Sequence, residues 1–138
     1  MANFVVANLL TGGVVKGISL DVDATRPLCH IRTDGGVVKV KLADVKALFF
    51  VRDLAGNPER NDVQAVAAED PRQRGATMVE IRFKDGERIV AFTNRYPPRT
   101  AFHYVVPVDP ASNNSRILIN QAAVASLTPV SPDRESGG

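Results

Sequence analysis

The chain contains an internal repeat, and this repeat limits its possible folds more than any other feature. Apolar residues alternate along a strand and end at a turn glycine, as Val5, Ala7, Leu9 and Gly12 in the first half and, at one constant offset, as Val79, Ile81, Phe83 and Gly86 in the second. After a longer loop in the second half, the match resumes with Val38, Val40, Val45 and Leu48 against Ile117, Ile119, Val124 and Leu127. We interpret this self-similarity as an internal duplication.

Each half is predicted to contain five short strands, with a single helical turn before the last. The Gly12-Gly13 step and the Asp85-Gly86 step join alternating apolar runs, which is typical of hairpins. The sequence therefore predicts an all-β protein made of two tandem five-stranded small barrels, SH3-like or Sm-like, because barrel closure removes exposed strand edges. One continuous barrel or sandwich of about ten strands is the alternative.

Changes in composition predict the boundaries of the repeats. Residues 1–52 form the first barrel repeat and residues 76–130 the second. Between them, residues 53–75 are polar with turn formers at both ends, which predicts a linker that holds at most a short helix at residues 63–68. The polar residues 131–138 are predicted to be a disordered tail.

The charge balance and the single cysteine exclude several classes of protein. A net charge of +2 on 138 residues is no nucleic-acid footprint by itself. A lone Cys29 excludes an internal disulfide and a cysteine-based zinc site. Because no signal peptide or spanning apolar segment is visible, we expect a cytoplasmic protein.

Several phrases of the sequence occur together in a characteristic way. They are Val45-Lys46-Ala47-Leu48-Phe49-Phe50-Val51-Arg52-Asp53, Gly56-Asn57-Pro58, Phe83-Lys84-Asp85-Gly86-Glu87, Val106-Pro107-Val108-Asp109-Pro110 and Ser112-Asn113-Asn114-Ser115-Arg116-Ile117. In these phrases the chain resembles an uncharacterised bacterial family of small β domains that is often found beside response-regulator and other signalling modules. The resemblance implies a regulatory setting and no particular activity. The chain departs from the expected pattern at Ala91, where a glycine is expected after the hairpin.

No catalytic or metal-binding constellation is visible. Cys29 and His30 are adjacent, so on a strand their side chains point to opposite faces and cannot pair. We interpret Cys29 as a buried structural residue. His30 and His103 fall at equivalent places in the two third strands but lack carboxylate or thiolate partners at known ligand spacings. We therefore predict no enzyme, no metal and no cofactor.

The segment Arg95-Tyr96-Pro97-Pro98-Arg99, followed by Phe102 and Tyr104, is the most distinctive candidate surface. Arginine suits phosphate groups, and aromatic rings suit stacking. The spacing of the two arginines resembles that of PilZ domains, which bind cyclic di-GMP and carry a later Asp/Asn-x-Ser-x-x-Gly motif. Here Asn113-Asn114-Ser115 is followed by Arg116 without that glycine. A cyclic di-GMP receptor is therefore one alternative function.

RNA binding is the second alternative. Lys39 and Lys41 share one strand face in the first half, and Arg82 and Lys84 share one in the second. An Sm-like barrel offers such faces to RNA, although lysines on strands also guard against edge pairing.

The function that the sequence favours is a non-catalytic interaction or adaptor module in bacterial signalling or regulation, with another protein as its partner. Homo-oligomers through strand edges also fit such small barrels. The candidate binding residues are Arg95, Tyr96, Arg99, Phe102, Tyr104, Asn113, Asn114 and Arg116.

Overall fold

The protein is all-β. The computed structural model describes residues 3–52, 76–108 and 114–130. The strands are β1 (Asn3–Leu9), β2 (Val14–Ser19), β3 (Leu28–Thr33), β4 (Gly36–Lys41), β5 (Val45–Val51), β6 (Thr77–Phe83), β7 (Arg88–Thr93), β8 (Phe102–Pro107), β9 (Asn114–Asn120) and β10 (Val124–Pro129). Short 3-10 helices, Leu42–Asp44 and Gln121–Ala123, precede β5 and β10. The predicted linker, its short helix, Asn113 and the predicted tail lie outside the described residues.

The ten strands form one antiparallel sheet in the order β10-β6-β7-β8-β9-β5-β1-β2-β3-β4. In each half the first four strands form a meander, and the fifth strand pairs with the first. Two tandem closed barrels were expected, but the described strands form an open sheet. The reason is that β5 uses its second edge to pair with β9 of the other half, so no pairing among the described strands closes either half.

The two halves share their local hydrogen bonds as well as their strand order. Gly12 and Gly86 turn the first hairpin of each half with φ of 97° and 96°, a left-handed conformation that glycine adopts freely. In each half, the first residue after the opening strand donates its backbone N–H to the last residue of the 3-10 helix that precedes the fifth strand. Leu10 donates to the Asp44 carbonyl at 2.8 Å, and Lys84 donates to the Ala123 carbonyl at 2.9 Å.

Strand β5 is buried on both faces and separates two hydrophobic cores. Ala47, Phe49 and Val51 belong to the core of the second half, with residues of β6, β7, β8, β9 and β10. Leu48 and Phe50 point the other way, into the core of the first half. This explains the nearly unbroken apolar run of β5, because a strand with two buried faces has no polar side.

An ion pair connects β5 with the β6–β7 hairpin. The Lys46 ammonium lies 2.7 Å from an Asp85 carboxylate oxygen, also pairs with Glu87, and sits 4.8 Å from the centre of the Phe83 ring. Burial lowers the pKa of Lys46, but the hydrogen bonds that its ammonium donates to the two carboxylates outweigh this effect, so the pKa is raised above its ordinary value. The contact fixes the second-half hairpin against a first-half strand.

Gly17 lies where β2 and β3 approach each other closely. A Cβ atom at this position would lie 2.0 Å from the Arg32 carbonyl oxygen, far inside van der Waals contact. Its counterpart Ala91 is fully buried, belongs to the second-half core and lies opposite Pro107. The departure at Ala91 noted in the sequence therefore reflects a difference in strand approach between the halves.

We predict that Gly17→Ala lowers the free energy of unfolding by about 1–3 kcal/mol or more, because backbone atoms must move to admit the methyl group. Gly35→Ala is the matched control, since its nearest neighbouring atom would be Thr33 Oγ1 at 3.9 Å, and it should change stability by less than about 0.5 kcal/mol. Denaturant unfolding measures both, and equal midpoints for the two variants would contradict the close approach.

Candidate functional site

A groove of about 430 Å³ lies between the β2–β3 connection of the first half and the β7–β8 connection of the second. Ala24 and Thr25 form the first-half wall. The second-half wall consists of the end of β7, its following loop and the start of β8, with Thr93, Asn94, Arg95, Thr100, Phe102, His103 and Tyr104. Its size falls in the usual range of small-ligand pockets, and both halves are needed to form it.

His103 is a buried polar side chain of this groove, with 6% of its surface exposed. Its Nε2 lies 2.7 Å from Gln121 Oε1, and an amide oxygen only accepts, so Nε2 carries the proton. Nδ1 then carries a lone pair, and it is buried without a hydrogen-bond partner among the described residues. Burial lowers the pKa of His103, and the hydrogen bond with Gln121 opposes this effect.

Arg116 on β9 covers two aromatic rings beside the groove. Its guanidinium carbon lies 4.2 Å from the centre of the Phe50 ring and 4.7 Å from that of Tyr104, and the two rings lie 6.1 Å apart. Burial raises the pKa of Tyr104, and the nearby positive charge of Arg116 opposes this effect. Arg116 thus shields buried Phe50 from water while its own charge stays at the surface.

Asp21 and His30 form a pair that the sequence analysis missed. One Asp21 oxygen accepts from the His30 backbone N–H at 2.6 Å, and the other lies 2.7 Å from His30 Nδ1. These hydrogen bonds, the side-chain one first, lower the pKa of Asp21. The available signal was an aspartate just after one strand and a histidine in the next, because the ends of paired strands lie close together.

The structure brings together only part of the predicted binding set. Arg95, Phe102 and Tyr104 line the groove, and Arg116 reaches it through Tyr104. Tyr96 and Arg99 are exposed in the loop outside the lining. Asn114 belongs to β9 and pairs with Val51. Thr25 and His103 complete the groove, although the binding prediction did not include them.

The two histidines do not occupy equivalent places, contrary to our expectation. Cys29 lies opposite Val40 and His103 opposite Ile119, so His103 corresponds to Cys29, and His30 corresponds to Tyr104. The expected alignment of the two third strands was shifted by one residue, and such a shift moves a side chain to the other face of its strand.

The basic strand faces differ in how far their charges are neutralised. Arg82 and Arg88 both contact Glu80, the former at 3.1 Å, and these partners, Arg88 first, lower the pKa of Glu80. Lys39 and Lys41 lie exposed on β4 at the sheet edge. The second-half face is therefore less positive than its sequence indicates.

A second cavity, of about 480 Å³, lies between the tips of the β1–β2 and β6–β7 hairpins. Leu9, Leu10 and Ala122 provide apolar walls, and Lys46 and Lys84 provide two ammonium groups. Because Lys46 is already paired with Asp85 and Glu87, this cavity offers less unpaired charge than its composition indicates.

Three further findings on the described residues concern the Cys29 thiol, metal-binding groups and membrane-spanning helices. Burial raises the pKa of the Cys29 thiol to about 11, so it stays protonated near neutral pH. Within residues 3–52, 76–108 and 114–130, no three His, Cys, Asp or Glu side chains are grouped so as to hold a metal ion. No helix in these ranges is long and apolar enough to cross a bilayer.

We predict that Arg116→Gln raises the pKa of Tyr104 further above its ordinary value, because the charge that opposes the effect of burial is removed. Tyr96→Phe in the background leaves Tyr104 as the only tyrosine, since the chain has two. Ultraviolet titration of the tyrosinate then measures the shift. Arg99→Gln should leave the Tyr104 pKa unchanged, and an equal effect of both arginine variants would contradict the stacking.

We predict that the Asp21 carboxyl titrates below 3.8 and moves back toward 3.8 in His30→Ala, because the variant loses the ring contact but keeps the backbone N–H. Since the folded-state pKa is lowered, the stabilisation is complete above 3.8 and is lost as the pH falls through the folded-state pKa. Carboxyl carbon NMR measures both titrations. An unchanged Asp21 midpoint in His30→Ala would assign the shift to the backbone bond alone.

One of the comparisons with known proteins supports the expectation of an uncharacterised family. No curated protein and no solved structure matches the chain significantly. One family model, described as a family of unknown function, matches residues 1–131 and so covers nearly the whole chain. The chain therefore belongs to the family of unknown function DUF6982.

Proposed function

We propose that this protein is a non-catalytic interaction module of the adaptor type, and that its groove binds an extended segment of a partner protein. The observation that carries this proposal is the groove itself, which combines Arg95 with the rings of Phe102 and Tyr104. Arginine and aromatic residues are enriched in protein interfaces, where they supply most of the binding energy.

The chemistry of the groove favours a peptide over the two alternative ligands. For cyclic di-GMP, the Asn-Ser turn would have to be free, but Asn114 is paired in β9 and Ser115 Oγ donates to the Phe50 carbonyl at 3.0 Å. For RNA, the basic faces of Lys39, Lys41, Arg82 and Lys84 would have to bind phosphates, but Arg82 is already paired with Glu80. An extended peptide needs neither group, only an apolar surface with a few polar anchors.

The state of the candidate nucleophile supports a non-catalytic role. Cys29 is fully buried, and its pKa of about 11 keeps the thiol protonated. The nearest histidine in sequence, His30, turns to the opposite face and binds Asp21. Nucleophilic catalysis needs these groups side by side.

We infer a duplicated origin for the two halves, each an opened form of a small five-stranded barrel. Equal strand order, equal turn glycines and equal hydrogen bonds at the 3-10 helices support this inference. The bacterial source, the signalling context and the cytoplasmic location stay predictions from the sequence.

The groove is tested with immobilised full-length protein in a lysate of the source organism, with and without nuclease. We expect a set of proteins that bind the wild type after nuclease treatment and are lost with Arg95→Glu, because the arginine anchor is reversed. Lys16→Glu makes the same charge change on β2, outside the groove, and should retain them.

Mass spectrometry identifies the retained proteins, and thermal unfolding checks that both variants are folded. Proteins retained equally by Arg95→Glu would remove the groove as their binding site. Binding that disappears with nuclease would assign the protein to RNA binding instead.

A further inference from the structure

The contact between the two halves is a pairing of nonequivalent strands. Strand β5 is the fifth strand of the first half, and β9 is the fourth strand of the second. They pair antiparallel, with Leu48 opposite Leu118 and Phe49 opposite Ile117. The same chain thus shows that a fifth strand of this fold can add to the outer edge of a fourth strand.

The complementary pair of strands is left at the two ends of the sheet. Strand β4, the fourth strand of the first half, ends the sheet on one side, and β10, the fifth strand of the second half, ends it on the other. Neither pairs with another described strand on its outer edge. Each therefore presents outward-facing N–H and C=O groups that can accept another strand.

The exposure of Val38 marks the missing neighbour. Val38 and Ile117 are equivalent residues: Ile117 belongs to the second-half core, and Val38 lies on the same strand face as its partner Ile31 of the first-half core. Ile117 has 1% of its surface exposed because β5 lies beside it, whereas Val38 has 37% exposed. Val37 next to it has 57% exposed, so β4 presents two adjacent valines at an open edge.

We propose that β10 of one copy of this chain pairs antiparallel with β4 of another copy, repeating between chains the junction that β5 and β9 form within one. Because β10 and β4 are the counterparts of β5 and β9, the register of the internal junction places Thr128 opposite Val38 and Leu127 opposite Lys39. Because the two surfaces differ, the association is head to tail and yields a closed ring or an open fibre. It uses the sheet edges, and it stands whether or not the groove binds a partner protein.

Two residues make this contact weaker than the internal junction. Pro129 stands where β5 has Phe50, and its nitrogen faces outward because the next residue, Val130, donates to Met78 on β6. One interchain hydrogen bond is therefore lost. Lys39 stands where β9 has Leu118, and a charged side chain on an edge opposes pairing. The association is consequently reversible and depends on concentration.

Sedimentation equilibrium of the full chain tests the proposal from about 10 µM to about 1 mM, the range in which a small, weak interface dissociates. We expect the average mass of the wild type to rise with concentration. Lys39→Leu combined with Pro129→Val should shift the rise to at least about tenfold lower concentration, a gain of about 1.4 kcal/mol. A wild type that stays monomeric throughout would overturn the proposal.

Two further variants separate edge pairing from nonspecific association. Lys39→Pro removes an outward N–H of β4 and should abolish the rise in mass. Thr33 and Gly36 pair across a two-residue turn, so the Gly36 N–H points toward β3. Because N–H directions alternate along a strand, the Lys39 N–H points away from β3. Lys16→Leu adds an apolar residue to β2, a strand in the interior of the sheet order, and should not increase association. An equal increase in Lys16→Leu and Lys39→Leu would overturn the proposal.

Cross-linking tests the partner edge and the register. In the double variant Val38→Cys and Thr128→Cys the two thiols face each other across the contact, so oxidation should give a ladder of disulfide-linked chains. Each single variant should give no ladder. Efficient dimers from Val38→Cys alone would show that two β4 edges pair with each other, and would overturn the head-to-tail arrangement.

Discussion

The antiparallel contact between β5 and β9 is the interaction on which the rest of the structure depends. It gives β5 a neighbour on each edge and a core on each face, so the single run Val45–Val51 contributes to both halves. Asn120 secures its end, because its side chain donates to the Val45 carbonyl at 2.9 Å and accepts from the Ala122 N–H at 3.0 Å. Buried, with both its nitrogen and its oxygen hydrogen-bonded, this amide fixes the register of the junction.

The candidate binding surface is a consequence of the same contact. Pairing of β9 with β5 places Arg116 opposite Phe50 and over its ring, and the neighbouring pairing of β8 with β9 brings the Tyr104 ring close to the same guanidinium. Phe102 and Tyr104 of the second half then pack against the first-half core. The groove therefore needs both halves in their observed arrangement, and a single isolated half would lack one of its walls.

Much of the fold could be predicted from the sequence, because strands and tight turns are local. The Gly12 and Gly86 turns, the ten apolar runs and the helical turn before the fifth strand of each half are all present. The open sheet could not be predicted, since the apolar run of β5 does not say which strand lies beside it. The Asp21–His30 pair was missed for a related reason, because it depends on how β2 and β3 meet across their connection. For the site, residue types indicated Arg95, Phe102 and Tyr104, but Thr25 came from the other half of the chain.

Equivalent positions of the two halves differ where their neighbours differ, and this explains why the halves share a strand order but match only weakly in sequence. Gly17 is required by the nearby Arg32 carbonyl, whereas Ala91 fills the second core. Lys41 is exposed on the edge strand β4, whereas its counterpart Asn120 is buried at the junction and caps a 3-10 helix. The first 3-10 helix has no such side-chain cap. At each of these positions the residue suits its local surroundings. A strand at the sheet edge favours polar side chains, whereas an equivalent strand with neighbours on both edges favours apolar or hydrogen-bonded ones. The residue types on β4 and β9 therefore reflect that β9 is paired with β5, whereas β4 stands at the end of the sheet.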